Sequence, residues 1–295
     1  MTTPDPAPHR AWTGCLRAWR RFPWPGGRGR DRAKGMLTRH VRPPRAVPTR
    51  AGWLALEHGE DSLERHILAT GTHWETQVVA LLTANGDALA GATAMDVGGH
   101  VGFYALLLAD LVGSEGRVVA VEAHDELCGR MRWARDRNER PWLEVVHGAA
   151  SDHAGTLTMG LDPDRGHTTT AGEAAATFTV EAFRLDDWMA THDLSDPELV
   201  LMDIEGGEAA ALRGLEPVLR RAAPDLLIEV HPEQLRDLGT SQEALIAWIG
   251  ELAPYELSML DHRRGLVPLA ELPTAGSWHL LAQHPDHPRL RRQPR

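Results

Sequence analysis

Two cysteines, Cys15 and Cys128, are all that the 295 residues hold. So few exclude a disulfide framework or a zinc cluster and fit a reducing cytoplasm. Lysine is rarer still: Lys34 stands alone and arginine supplies the other basic residues, a bias that reads as GC-rich, bacterial codon usage and says little about function. No apolar run approaches the roughly 20 residues of a membrane span, so insertion into a bilayer is not expected. Nor is a secretory signal, because Trp12 to Trp24 is interrupted by Arg17, Arg20, Arg21 and Pro23 and has no apolar core.

The 42% apolar and 24% charged residues that are present suit a soluble globular chain. The net charge of -10 is unevenly spread. Residues 1–50 carry twelve Arg and Lys against Asp5 and Asp31, or +10, which leaves -20 on the remainder. That basic segment is rich in Pro and Gly and cannot bury enough apolar surface to fold alone. Residues 1–51 therefore read as a flexible leader, with an arm for an acidic partner or a lid over the site as sharper alternatives. Residues 52–285 read as one domain and 286–295 as a basic tail. An acidic body argues against a broad nucleic-acid surface.

From Ala94 onward, strand and helix patterns alternate, which points to a parallel sheet covered by helices. Core strands are expected at "ATAMDVG", Arg117–Ala123, Leu143–Ala150, "ELVLM" and Asp225–His231. Helices are expected over Trp74–Leu82, Val101–Val112, Asp125–Asn138, Glu208–Arg221 and Ser241–Leu252. "AGTLTMG" and "ATFTVEAFRLDDWM" read as shorter strands around a Gly/Thr-rich loop, a hairpin beside the sheet. "YELSML" and "GSWHLLAQ" read as a closing antiparallel pair.

"AMDVGGHVGFYALLLAD", Ala94 to Asp110, runs from a strand through a glycine turn into a helix, the geometry that receives a nucleotide-like ligand. A dinucleotide fingerprint wants G-x-G-x-x-G, whereas the glycines here stand at 98, 99 and 102. A P-loop ends in Gly-Lys-Ser/Thr, and the turn has no lysine. Asp96, two places before Gly98, suits S-adenosylmethionine, whose α-ammonium a carboxylate attracts. Around it, Val97, Gly98, Gly99 and Gly102 let the backbone come close. Glu122, ending the next strand 24 residues beyond Gly98, can accept from both ribose hydroxyls but would do so for NAD as well. Small residues at the third strand end, Ala150 and Ser151, can form an adenine slot, with Asp152 placed to accept from the adenine amino group or to cap a turn.

"LVLMDIEGGE" brings Asp203 and Glu205 to the sheet edge beside the switch point. With it, the sequence resembles the FkbM-type S-adenosylmethionine-dependent methyltransferases. The pieces that match, in order, are "GTHWE", "DVGGHVGFYALLLA", "VVAVEAHDEL", "GAASDHAG", "RLDDWM", "LMDIEGGEAAALRGL" and "LLIEVHPEQL", covering roughly residues 55–260. His73 stands where the family often has an aromatic, and Ala123, beside Glu122, where it often has proline. The resemblance implies a Rossmann-like class I methyltransferase fold: a mostly parallel seven-stranded sheet, helices on both faces and an antiparallel closing strand. It implies methyl transfer to a hydroxyl of a sugar, polyketide or other natural product, with S-adenosylhomocysteine as the other product. It also suggests that the segment with Trp74 and Glu75 closes on the methionine end; a helix-start carboxylate favoured by the dipole is the competing reading.

Methyl transfer from a sulfonium is an in-line displacement, so positioning dominates and a base helps an alcohol. Asp203 and Glu205 are candidates to orient the acceptor or to hold the cofactor's amino group. Their spacing would also admit magnesium, but no metal is predicted. Glu229 and His231 alternate on one strand and share a face. His231 has the pKa of a general base at neutral pH and is the first choice. His100, in the glycine turn, is the second. Tyr104 reads as core, and Trp278 and His279 as packing. The alternatives carried forward are N-methylation of a peptide or small amine, a non-catalytic module with the same fold, and a nicotinamide oxidoreductase. The N/DPPY motif of nucleic-acid amine methylation is missing where "DIEG" stands. A small-molecule or peptide acceptor is the expected partner, with a homodimer as an open state.

Overall fold

Every residue of Thr93–Val97 is buried, Asp96 included, as a strand covered on both faces requires. Around it a computed structural model describes residues 46–56, 62–162, 167–169, 176–261, 264–274 and 276–291. Residues 1–45 of the leader, and most of the Gly/Thr-rich loop, lie outside the described residues.

In chain order, β1 (Ala46–Thr49) and β2 (Gly52–Ala55) form a hairpin, followed by α1 (Ser62–Thr70), α2 (Thr76–Ala84), α3 (Gly86–Leu89) and β3 (Thr93–Val97). Next come α4 (Phe103–Val112), β4 (Arg117–Glu122), α5 (Asp125–Arg137) and β5 (Leu143–His147). An insertion holds β6 (Ala149–Ala150), β7 (Gly155–Asp162), β8 (His167–Thr169) and β9 (Ala176–Phe183). Then follow α6 (Leu185–Thr191), β10 (Leu199–Met202), α7 (Glu208–Arg213), α8 (Glu216–Ala222), β11 (Asp225–Val230), α9 (Pro232–Asp237) and α10 (Gln242–Leu252). β12 (Glu256–Asp261), β13 (Gly265–Pro268) and β14 (Trp278–Gln283) close the fold.

The main sheet has eight strands among the described residues, in the order β13-β12-β14-β11-β10-β3-β4-β5. The five from β11 to β5 are parallel, and β14, β12 and β13 are antiparallel additions. The expected seven strands become eight because Gly265–Pro268 folds back along β12. Period-two alternation sends side chains to two cores. Ala94, Val118, Ala120, Leu199 and Leu201 face one core with α4, while Met95, Val119, Val121, Val200 and Met202 face the other with α7, α8 and α10. Leu106 of α4 is 1% exposed. Leu106→Ala should therefore cost about 2–5 kcal/mol of stability, read as a lower denaturant midpoint at unchanged slope.

Four local departures have physical causes. The helix expected over Glu208–Arg221 is broken at Gly214 and Leu215, where Pro217 starts a new turn. A Cβ on Gly214 would also collide with the Ser151 carbonyl. Leu212, Leu215 and Leu219 still enter one core. "LDDWMAT" is helix α6 rather than strand, with Asp186 and Asp187 in the first turn, where the dipole favours them. Ser62–Thr70, outside the expected helices, is helical and buries Leu63, Ile67 and Leu68. The third strand stops at His147; Ala149 and Ala150 pair instead with β9, in the separate β6-β9-β7-β8 sheet that realises the expected hairpin.

Residues near both ends of the described chain are packed against the core. Val47 of β1 is buried in the first core. At the other end Leu290 is fully buried, and the Arg289 and Leu290 amides donate to Asp225 Oδ2 at 2.8 Å. Among the described residues, no helix is long and apolar enough to cross a membrane.

Candidate active site

The chain order reverses between β3 and β10, and the C-terminal ends of β3, β4, β10 and β11 converge there on a cavity of about 960 Å³. Val97, Gly98, Gly99 and His100 line it from the turn after β3. Glu122 and Ala123 follow from β4, and Ala150, Ser151 and Asp152 from the end of β6. Glu75, Asp203, Glu205, Glu229 and His231 complete the wall. Asp96 and Gly102 do not reach it.

Asp96 lies deeper than the residues that line the cavity. It is 1% exposed and sits beneath the glycine turn, its Oδ2 3.5 Å from where a Gly99 Cβ would stand. Burial, and then Glu122, push its carboxyl up to about 7. Both of its carboxylate oxygens are buried without a hydrogen-bond partner among the described residues. Gly102 ends the turn with φ 83° and starts α4. Gly98 has φ +94°, and a Cβ there would collide with the Asp203 carbonyl. The Gly98 and Gly99 amides both donate to the Val121 carbonyl, at 2.9 and 3.1 Å. The turn therefore supplies a close backbone surface rather than free donors.

Glu122 is held rigidly. Its Oε2 accepts from the His100 amide at 2.9 Å and its Oε1 from the His124 amide at 2.8 Å. Remaining lone pairs of that carboxylate face the cavity. The Asp152 carboxylate lies 2.6 Å from the His153 ring nitrogen. His100 is held with φ 47°, in the left-handed region.

The other wall is a chain of buried charges, much of it illegible in the sequence. The Tyr104 hydroxyl donates to Glu75 Oε2 at 2.7 Å, and Glu75 Oε1 lies 2.8 Å from His279 Nε2. Glu229 stands between the two imidazoles, 3.9 Å from His279 Nε2 and 3.8 Å from His231 Nε2. His231 Nδ1 meets Glu208 Oε1 at 2.7 Å, and its Nε2 faces Glu205 at 3.5 Å and Asp203 at 3.6 Å. Tyr104 and His279, read as core and packing, thus carry polar tips into the site. Only the antiparallel register, which sets His279 opposite Glu229, brings β14 there. His73 accepts the Glu75 amide at Nδ1 (3.2 Å) and, pulled down to about 4 chiefly by burial, is neutral.

Charge balance sets the protonation states. Burial opposes ionisation of Glu75, yet the His279 hydrogen bond and charge, with help from His73 and Tyr104, hold its carboxyl down at about 2. Burial pulls His231 down, but the Glu208 hydrogen bond and the Glu205, Glu208 and Glu229 carboxylates outweigh it and push the ring up to about 9. With its pKa at that height the ring is favoured as an imidazolium at neutral pH. Asp203 and Glu229 are driven the opposite way from ionisation, first by burial and then by neighbouring carboxylates. Asp203, Glu205 and His231 have donor atoms within 4.8 Å of one another, as do Glu75, Glu229 and His279. Either set would span a cation, but the imidazolium already supplies positive charge between them.

The profile of the methyltransferase FkbM domain matches residues 96–257, more than half of the chain. The chain belongs to the FkbM methyltransferase family. Glu75 and His279 of this FkbM protein lie outside the matched residues. Similar folds include a methyltransferase FkbM from Methylobacillus flagellatus, at 19% identity and a TM-score of 0.45, over 65% of this chain and 43% of that one. This chain therefore spans less than half of that relative's length. A SAM dependent methyltransferase from Aquifex aeolicus is similar at 15% identity and a TM-score of 0.40, over 69% of this chain and 88% of that one. An O-methyltransferase from Bacillus cereus in complex with SAH is similar at 15% identity and a TM-score of 0.43, over 71% and 81%. No curated protein matches the chain by sequence.

Proposed function

We propose that this FkbM methyltransferase moves a methyl group from S-adenosylmethionine to a hydroxyl of a small natural product, sugar or polyketide-type acceptor, in a reducing cytoplasm. The observation that carries the reading is one cavity that joins a Cβ-free turn at Gly98, an amide-held carboxylate at Glu122, and a charged wall at the ends of β10 and β11. When bound, S-adenosylmethionine supplies an electrophilic methyl on a sulfonium. Glu122 holds the ribose hydroxyls, and Ala123, Ala150 and Ser151 leave a flat slot for the adenine. Because Asp96 is buried away, Asp203 and Glu75 are the carboxylates left to hold the ammonium. The acceptor then lies toward Glu229 and His231. Its hydroxyl proton passes to the ionised form of Glu229, a carboxylate whose proton affinity burial raises. Glu205 and the His231 imidazolium orient the acceptor, and His100 closes the turn side.

Titration of the purified protein with S-adenosylmethionine should give saturable binding, and labelled methyl should appear in product. Binding of NADH in place of S-adenosylmethionine would sink the reading. A second acceptor class, an amine, is supported by the same wall: four acidic side chains, Glu75, Asp203, Glu205 and Glu229, stand against the two rings His231 and His279. A panel pairing each hydroxyl compound with its amino analogue separates O- from N-methylation.

A further inference from the structure

Glu208 ends the hexapeptide "DIEGGE", yet it contributes nothing to the cavity wall. It is fully buried, and its Oε1 accepts from the Gly206 amide at 3.1 Å as well as from His231 Nδ1 at 2.7 Å. Gly206 can make that turn because it has φ +100°, and a Cβ there would press on Gln234 at 2.5 Å. So the two glycines carry the chain round to place a carboxylate behind the ring, not in front of it.

The ring's other nitrogen is differently placed. Nε2 looks into the cavity at Glu205, Asp203 and Glu229 from 3.5, 3.6 and 3.8 Å, beyond a good hydrogen bond to any of them. His279 of β14 also lies near enough to interact with the charge of the ring. A ring with one short bond at Nδ1 and none at Nε2 is anchored from behind with its front donor open.

We propose that Glu208 is a positioning residue: by anchoring Nδ1–H it fixes the plane of His231, so that Nε2–H is presented to an oxygen of the methyl acceptor. A carboxylate that orients an imidazole through its far nitrogen is a general device for setting the tautomer and aim of a histidine. The role in acceptor binding rests on the methyltransferase reading above; the anchoring of the ring does not.

The anchoring is tested on the resting protein by nitrogen-15 NMR of the histidine rings, with His231→Gln used to assign the signal. In the unaltered protein at pH 7, His231 should carry a slowly exchanging, downfield Nδ1–H. Glu208→Ala should lose that proton signal, and Glu208→Gln, which keeps an acceptor oxygen, should retain it. S-adenosylmethionine affinity, followed by calorimetry, should stay within about threefold in both variants. With a turned-over hydroxyl acceptor, Glu208→Ala should raise KM or lower kcat about tenfold, the worth of one such hydrogen bond, with partial rescue in Glu208→Gln. An unaltered His231 Nδ1–H signal in Glu208→Ala, or none in the starting protein, overturns the proposal, and the second measurement holds even if the variants fail to fold. Loss of S-adenosylmethionine binding confined to the variants would also overturn it, by moving Glu208 into cofactor binding. Failure of the unaltered protein to bind S-adenosylmethionine would instead refute the functional reading while leaving the ring measurement intact.

Discussion

Gly98→Ala should reduce S-adenosylmethionine affinity at least a hundredfold. Two costs coincide at this position. The residue has φ +94°, a region that costs an L side chain roughly 1–2 kcal/mol. The new Cβ would also meet the Asp203 carbonyl and press on the Ile204 side chain at 2.9 Å. Relief requires the β3 turn and the β10 end to move apart, which widens the switch point where the methionine end is proposed to lie. A loss of more than about 2.7 kcal/mol in binding corresponds to that hundredfold change. Gly91→Ala is the matched control. It shares a positive φ, +75°, but its Cβ would meet nothing within 4 Å. It should cost about 1–2 kcal/mol of stability and leave binding untouched. Calorimetric titration of both variants decides the point, and equal affinities would refute the steric account.

His231→Ala should show the second large effect, on stability and turnover together. Removing the ring leaves the fully buried Glu208 carboxylate without its cation, at a cost of about 3–5 kcal/mol. Methyl transfer should fall at least a hundredfold, with S-adenosylmethionine affinity nearly intact. The pH dependence has a definite sign. The ring's pKa in the folded state, about 9, lies above the ordinary imidazole value of 6.5. The contribution is therefore complete below about pH 6.5 and is lost as pH rises toward about 9. Denaturant melts of the starting protein should lose stability across that window, by on the order of 3 kcal/mol. The difference between the starting protein and His231→Ala should shrink over the same range. A constant difference would show that the imidazolium does not form.

Much of the site was legible because its carriers are short-range. A strand, a glycine turn and a helix within Ala94–Asp110 need only local backbone rules, and Gly98 and Glu122 fall where those rules put them. The depth of Asp96 was not legible, for a reason in the same rules. Alternation on a doubly covered strand turns it beneath the turn, and only the second layer of helices makes both faces interior. The charge of His231 was not legible, since its proton affinity depends on Glu208, Glu205 and Glu229, which only the fold sets around the ring.

By itself, then, the sequence determined the alternating α/β order, the nucleotide turn, the acidic strand ends and the family these residues belong to. Each of those is written in contiguous residues whose periodicity and backbone preferences act locally. The tertiary structure decided which carboxylates share an imidazole, that Tyr104 and His279 join Glu75, and that Glu208 stands behind His231. Those pairings join residues 23 to 204 positions apart, for His231 with Glu208 and His279 with Glu75 respectively. Protonation inside a cavity follows the sum of the charges around it, and that sum exists only once the strands are side by side.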